Sequence, residues 1–389
     1  MNKDIMESFD KLKTYCEAEG FKGWDPYDGL NSKLFKALKL DKIKFLRLAW
    51  IQIFKRSPIN FRKWALVPKE YNPKGLGLFL TGYANLYKKE GKEEYLEKIH
   101  FLAKQLIALQ SRGFSGACWG YNFDWQSRAF FLPKETPTVV ATSFIASALM
   151  DAYDITNEQQ YLDVALSSAN FIVNDLNRTS KEEGFIFSYS PFDNTCVYNA
   201  SLLGSKLLAR IYSYNKDETL LALARDSVLA CVRAQRDDGA WIYGEMGIQD
   251  WVDSFHTGYN LECISDYQKY SGDTTFQQHI DKGLDYYLKH FFLKNGTPKY
   301  YDNKTYPIDI HAPAQLVATL SRLDVLEEHK EIVNKVLKWT IMHMQDKEKG
   351  YFYYQLKQGI SSKIPYMRWA QAWMFYAFTF LGEENTNDS

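Results

Sequence analysis

An excess of either charge is missing from the chain: Lys+Arg and Asp+Glu each number 47 over 389 residues. A zero balance leaves no footprint for nucleic acid or an anionic membrane, so the expected partner is neutral or modestly charged. Cysteine is scarce. Cys16, Cys118, Cys196, Cys231 and Cys263 are odd in number, widely scattered and form no Cys-x-x-Cys pair, which predicts reduced thiols and a cytoplasmic setting. No run of about 18 apolar residues occurs, so no transmembrane segment is expected. The opening stretch from Met1 to Asp10 lacks the apolar core of a signal peptide. Glycine-rich phosphate loops and dinucleotide fingerprints are also absent, and no cofactor is expected. Nor is a metal: His256 and His311 are too far apart along the chain to give a ligand-spacing signal.

Aromatic residues, by contrast, are abundant: 16% of the chain, with 27 Tyr and 10 Trp. They sit within a repeat. Helix starts are predicted near Asn72, Thr136, Asn199, His256, His311 and Trp369, at intervals of 55 to 64 residues. That period is about two helices and two connections, a helical hairpin. Asn72 and Thr136 are each followed by proline, the pattern of an N-cap with proline at the first helical position. The segment from Val139 to Met150 carries no charge and should be buried all round, an inner helix. Asp217 to Gln235 confines its apolar residues to one stripe, an outer helix. The outer set is predicted near Asp41 and from Glu93, Glu158, Asp217, Asp273 and Glu327.

Short polar turns join inner to outer helices, while the return connections are long and aromatic, as in Ser111 to Glu135 and Arg236 to Phe255. Loops of more than about 12–15 residues in a compact domain are usually functional. A closed ring gathers all of them at one end. The fold expected is therefore all-α, an (α/α)6 toroid over residues 36–389 with a short N-terminal helix and loop, residues 1–35, packed on it.

Nearly the whole chain resembles the six-hairpin (α/α)6 toroids. Gln235, Gly239 and Trp241 match the Gln-x-x-x-Gly-x-Trp repeat of terpenoid cyclases, with an echo at Gln345, Gly350 and Tyr351. That motif braces an outer helix against the following loop. The cyclase Asp-x-Asp-Asp acid and a prenyltransferase zinc set are missing. The stretches Gly23 to Ser32, Cys118 to Gln126 and Asp253 to Gly258 resemble bacterial proteins of surface-polysaccharide biosynthesis. Related toroids include glycoside hydrolases, unsaturated-uronide hydrolases, sugar 2-epimerases and polysaccharide lyases. The resemblance implies a sugar, oligosaccharide or polysaccharide intermediate as partner, and contact with other polysaccharide biosynthesis proteins.

Asp124 and Asp253 are the leading acid/base candidates, with Glu245 third and His256 assisting. Two carboxylates about 5–5.5 Å or about 6.5–9.5 Å apart are what glycoside hydrolysis requires. An isolated loop Asp more often caps a helix or closes a turn. His256 and His311 occupy equivalent places at inner-helix starts, where an imidazole is suited to proton transfer near neutrality. Trp119, Tyr121, Trp125, Trp241, Trp251 and Trp369 are candidate stacking platforms, some of them core wedges instead. Arg368 is suited to a uronate carboxylate. Asn122, Gln126, Asn194, Tyr198, Asn199, Tyr259, Asn260 and Gln315 are candidate hydroxyl binders. A hydrolase is the first expectation, a uronate epimerase or lyase the second, and a non-catalytic glycan-binding or assembly subunit the third.

Overall fold

The computed structural model describes residues 3–126 and 131–382. In chain order its helices are α1 (Lys3–Ala18), α2 (Lys33–Ala37), α3 (Lys44–Arg56), α4 (Pro73–Glu90), α5 (Glu93–Ala108), α6 (Val139–Thr156), α7 (Gln159–Asn170) and α8 (Tyr198–Asn215). They continue as α9 (Glu218–Arg233), α10 (Ser254–Ser271), α11 (Gln277–Phe291), α12 (His311–Arg322), α13 (Lys330–Met344) and α14 (Trp373–Phe378), the last preceded by a π-helical turn, Met367–Ala372. Helices α4, α6, α8, α10, α12 and α14 form the inner ring, each touching the next, and α14 returns to α4. The ring is closed.

Sequence explains the inner set. Val139, Val140, Ala141, Ile145, Ala146 and Leu149 bury every side of α6, which packs between α4 and α8. It has the length and hydropathy of a membrane span, but 72% of that window is buried inside the ring. Asn72 caps α4 through a 3.2 Å bond from Gly75 N–H, and Asp253 caps α10 through a 3.0 Å bond from His256 N–H. The second expected cap is displaced: Thr138, not Thr136, accepts from Ala141 N–H at 3.1 Å, because Pro137 is held in a bridge to Gly120.

The outer ring differs from expectation at one position. Its sixth member is α1, which packs on α13 and α14. The helix expected there is α3, which instead packs on Asp28–Asn31 and the first loop strand. It belongs to a lobe within a sixth long connection, residues 19–72. The brace motif supports this assignment independently. Gln235 donates through Nε2 to Gly239 O and His279 O, both at 2.9 Å, clamping α9 to α11. Gln345 donates in the same way to Gly350 O at 2.8 Å and Ser8 O at 3.0 Å, clamping α13 to α1. Gly239 and Gly350, at φ +94° and +78°, lie so close to the next outer helix that a Cβ would stand 2.3 Å from Lys282 O or 2.6 Å from Lys11 O. Only glycine fits there.

Among the described residues the long connections carry three two-stranded ribbons: Trp125–Gln126 with Phe131–Leu132, Arg178–Ser180 with Phe185–Phe187, and Ile308–Asp309 with Gln355–Leu356. Bridges also join neighbouring loops, Asp253 to Tyr301 and Val197 to Gly244. These cross-links fix the loop tyrosines around the inner-helix N-termini.

Candidate active site

A cavity of about 380 Å³ opens where the long connections meet the inner ring, within the range of about 300–1,000 Å³ usual for small-ligand sites. Of the residues expected there, Tyr121, Trp125, Asn199, Trp251 and His256 line it. So do Tyr259, His311, Arg368 and Trp369.

Asp253 and His256 form its most ordered polar unit. Asp253 is fully buried and accepts three bonds: from Trp251 Nε1 at 2.8 Å, from the His256 backbone N–H, and from His256 Nδ1 at 2.7 Å. An acceptor-only carboxylate places the proton of the neutral imidazole on Nδ1. Nε2 is then an open base with no protein partner among the described residues, on a ring that borders the cavity. Trp251 stacks on Tyr243 at 4.6 Å, and Tyr243 N–H donates to Trp251 O at 2.9 Å, so the platform beside His256 is rigid.

A second chain of groups crosses the floor. Lys74 Nζ donates to Tyr259 Oη at 3.4 Å, and Tyr259 Oη lies 3.1 Å from His311 Nε2. Burial, then the neighbouring Arg368 charge, holds the Lys74 ammonium well below its ordinary pKa. Burial, then Lys74, His256 and Arg368, keeps the His311 imidazole neutral. His311 Nδ1 is buried with no hydrogen-bond partner among the described residues, and the ring lies flat on Phe255 at 4.4 Å. Arg368 is gripped bidentately by Asp25, Nε to Oδ2 at 2.6 Å and Nη2 to Oδ1 at 2.9 Å. Burial opposes its charge, but Asp25 outweighs that and holds the guanidinium protonated. Its Nη1 remains without a protein partner among the described residues, so Arg368 has one donor nitrogen left for a ligand, not a full fork. Behind the wall, Asp309 accepts from His311 N–H, Trp369 Nε1 and Gln355 Nε2, and burial pushes its carboxyl up to about 6.

The expected pair of carboxylates does not assemble. Asp124 lies outside the lining, tied to Lys36 at 3.1 Å and to Lys134 N–H at 2.8 Å. Glu245 is ion-paired with Lys181 at 2.5 Å and accepts from Tyr198 Oη at 3.3 Å, also outside it. Asp253 does not line the cavity itself and meets it through His256 and Trp251. Trp119 and Trp241 are wedges, not platforms: each is buried and donates Nε1 to the preceding outer helix, at Leu106 O (2.7 Å) and Cys231 O (3.0 Å). Asn122 binds Asn72 and Asn31, Gln126 accepts from Arg47, and Gln315 binds Glu262. Asn194 is exposed and Asn260 buried away from the lining.

Several lining residues escape the sequence reading: Tyr27, Lys55, Lys74, Phe123, Tyr189, Tyr243, Tyr300 and Tyr301. One had a signal. Lys74 is the lone charge in the first turns of α4, directly after the Asn-Pro cap, the helix's other charges, Lys88, Lys89 and Glu90, falling at its far end. Among the described residues no cluster of three metal-ligating side chains occurs.

No protein-family model and no curated protein sequence matches the chain. Solved structures do. A cellobiose 2-epimerase from Bacillus thermoamylovorans superposes with a TM-score of 0.66 at 14% identity, covering 97% of this chain and 99% of that one. An unsaturated glucuronyl hydrolase specific for heparin gives 0.62 at 12%, covering 97% and 95%. A GH76 α-mannanase from Bacteroides thetaiotaomicron gives 0.60 at 13%, covering 79% and 85%. The chain is a six-hairpin (α/α)6 toroid. At such identities the toroid is what they share, and the chemistry must be argued from this chain's own cavity.

Proposed function

We propose that the chain is a carbohydrate-active enzyme that moves a proton at a sugar carbon next to a carbonyl, an epimerase-type reaction. The observation that carries this reading is the lining itself: two imidazoles, two amines and a guanidinium among aromatic rings, with no carboxylate among the described lining residues. Two-carboxylate hydrolysis has no pair of groups to use there. His256 Nε2 takes the carbon-bound proton while Asp253 stabilises the imidazolium formed. The electron pair moves onto the carbonyl oxygen, and the fixed positive charge of Arg368 opposes the negative charge developing there. On the other face Tyr259 Oη, held between Lys74 Nζ and His311 Nε2, gives its proton to the carbon and regains one from solvent, while His256 Nε2 releases the proton it took. Trp251, Trp369 and Trp125 offer faces for sugar rings. The sugar-processing neighbours agree with a saccharide substrate, and five buried, unpaired cysteines support a cytoplasmic setting.

The test is to incubate the protein with a panel of reducing disaccharides and uronates in deuterated water and follow the carbon-bound protons by NMR. Deuterium should enter the carbon beside the carbonyl, and His256→Asn should slow that exchange by about 10²–10⁴-fold. Cleavage that places oxygen-18 from water in a new hydroxyl, without carbon exchange, would replace this reading with hydrolysis. Saturable binding with neither reaction would make the chain a glycan binder.

A further inference from the structure

The lobe inserted in the connection of residues 19–72 does not use its outer surface for the cavity. Of eighteen exposed large hydrophobic side chains among the described residues, eight fall between Leu34 and Leu66. Phe45 is 74% exposed and Trp64 72%, which is not how a finished surface treats its largest apolar groups. Residues 33–69 also hold eleven Lys or Arg and a single Asp, in a chain whose total charge is zero. The whole-chain balance conceals this local surplus.

The lobe is a built platform. Leu30, Phe35 and Ile51 form a small core of their own, and a buried Arg62–Asp28 ion pair at 2.7 Å pins its last loop. Helix α3 turns Ile51 and Phe54 inward and presents Phe45, Gln52, Ile53 and Arg56 outward. Lys33, Lys39, Lys44 and Lys63 of the same lobe are also exposed, Lys44 next to Phe45 and Lys63 next to Trp64 in the chain.

We propose that the lobe, residues 28–69, docks on an anionic lipid bilayer. Apolar side chains flanked by lysines, with an exposed tryptophan, match the two attractions of such a surface: shallow insertion and attraction to negative headgroups. A second copy of this chain is disfavoured, since it would set one cationic face against another. Nucleic acid would answer the lysines but leave Phe45, Ile53 and Leu38 in water. The proposal does not rest on the reaction assigned to the cavity. It does orient the molecule, because Lys55 of this lobe, and Tyr27 just before it, reach the cavity.

The experiment is co-sedimentation of the full chain with vesicles of phosphatidylcholine alone and of phosphatidylcholine with phosphatidylglycerol. Partitioning is expected onto the anionic vesicles, weakened on going from about 0.1 M to about 1 M salt, where the Debye length falls from about 10 Å to about 3 Å. Lys39→Glu with Lys44→Glu should lower the partition coefficient by at least about fivefold per lysine. Phe45→Ser with Trp64→Ser should lower it as well, and circular dichroism should show both variants folded. No partitioning onto anionic vesicles, equal partitioning onto both kinds, indifference to both pairs of substitutions, or retention by RNA or an acidic protein instead would each overturn the proposal.

Discussion

Asp253 does two jobs that one substitution separates. Its Oδ1 caps α10 and its Oδ2 holds the His256 ring. Asparagine caps nearly as well as aspartate but cannot stabilise an imidazolium. Asp253→Asn keeps the cap but turns an amide NH2 toward the Trp251 and His256 N–H groups that Oδ2 accepted, so it should cost about 1–3 kcal/mol with the helical signal intact, while slowing carbon–hydrogen exchange by about 10²–10⁴-fold; a loss of exchange no larger than the loss of folded protein would reduce Asp253 to a cap. The sequence singled out Asp253, His256 and His311 because imidazoles at two equivalent inner-helix starts show up in a repeat. It misplaced Asp124 and Glu245 because a loop carboxylate's partner is decided by distances the sequence does not contain, and both found surface lysines.

Beneath the cavity, further along the inner helices, the ring interior is charged. Lys206 pairs with Asp266 at 2.6 Å and Arg210 with Asp151 at 2.7 Å, while Glu262 accepts from Thr319 Oγ1 at 3.0 Å. Burial pushes the Glu262 carboxyl up to about 7, against the opposing pull of Lys206 and Arg322. A carboxyl whose folded pKa exceeds its unfolded value contributes stability below the unfolded pKa and loses it as pH rises through the folded one. Between about pH 4.5 and 7 the chain should accordingly lose stability at this site. Glu262→Gln should remove that slope, raising the stability at pH 8 relative to the parent by on the order of 2–3 kcal/mol. Chemical denaturation at pH 5 and pH 8 measures it. His311 acts on the acid side: its pKa is depressed below 6.5, so its contribution is present above that value and lost as pH falls through the folded pKa.

At the scale of elements, the informative unit is the brace between successive outer helices. The sequence reading placed the repeat correctly from Asn72 onward because caps, polar turns and charge-free inner helices are local signals. It assigned the sixth outer position to α3 because the alternative, α1, meets its neighbour only through contacts such as Gln345 to Ser8, across nearly the full chain. Amphipathic pattern alone does not distinguish a helix in a ring from one in an inserted lobe. Gln345→Ala removes two buried backbone bonds and should cost about 1–3 kcal/mol. Hydrogen exchange should then quicken in α1 and leave α8 unchanged; uniform quickening would deny α1 a separate seam.

At the scale of the molecule, a closed ring has no free face, so removing one member exposes two. A chain lacking residues 1–18 would uncover α13 and α14, including the contact of Phe9 with Phe375 and Phe378. It should lose its single cooperative melting transition and bind a hydrophobic dye; a sharp melt at the parent temperature would show that five outer helices suffice.

Ring closure by the earliest and latest helices also has a consequence for biosynthesis. Tyr27 and Lys74 are made well before Arg368 and Trp369, and the wall between them exists only once α14 packs beside α4. Until that last contact forms, the other hairpins line an open trough, so the enclosed hollow appears in a single step when α14 docks.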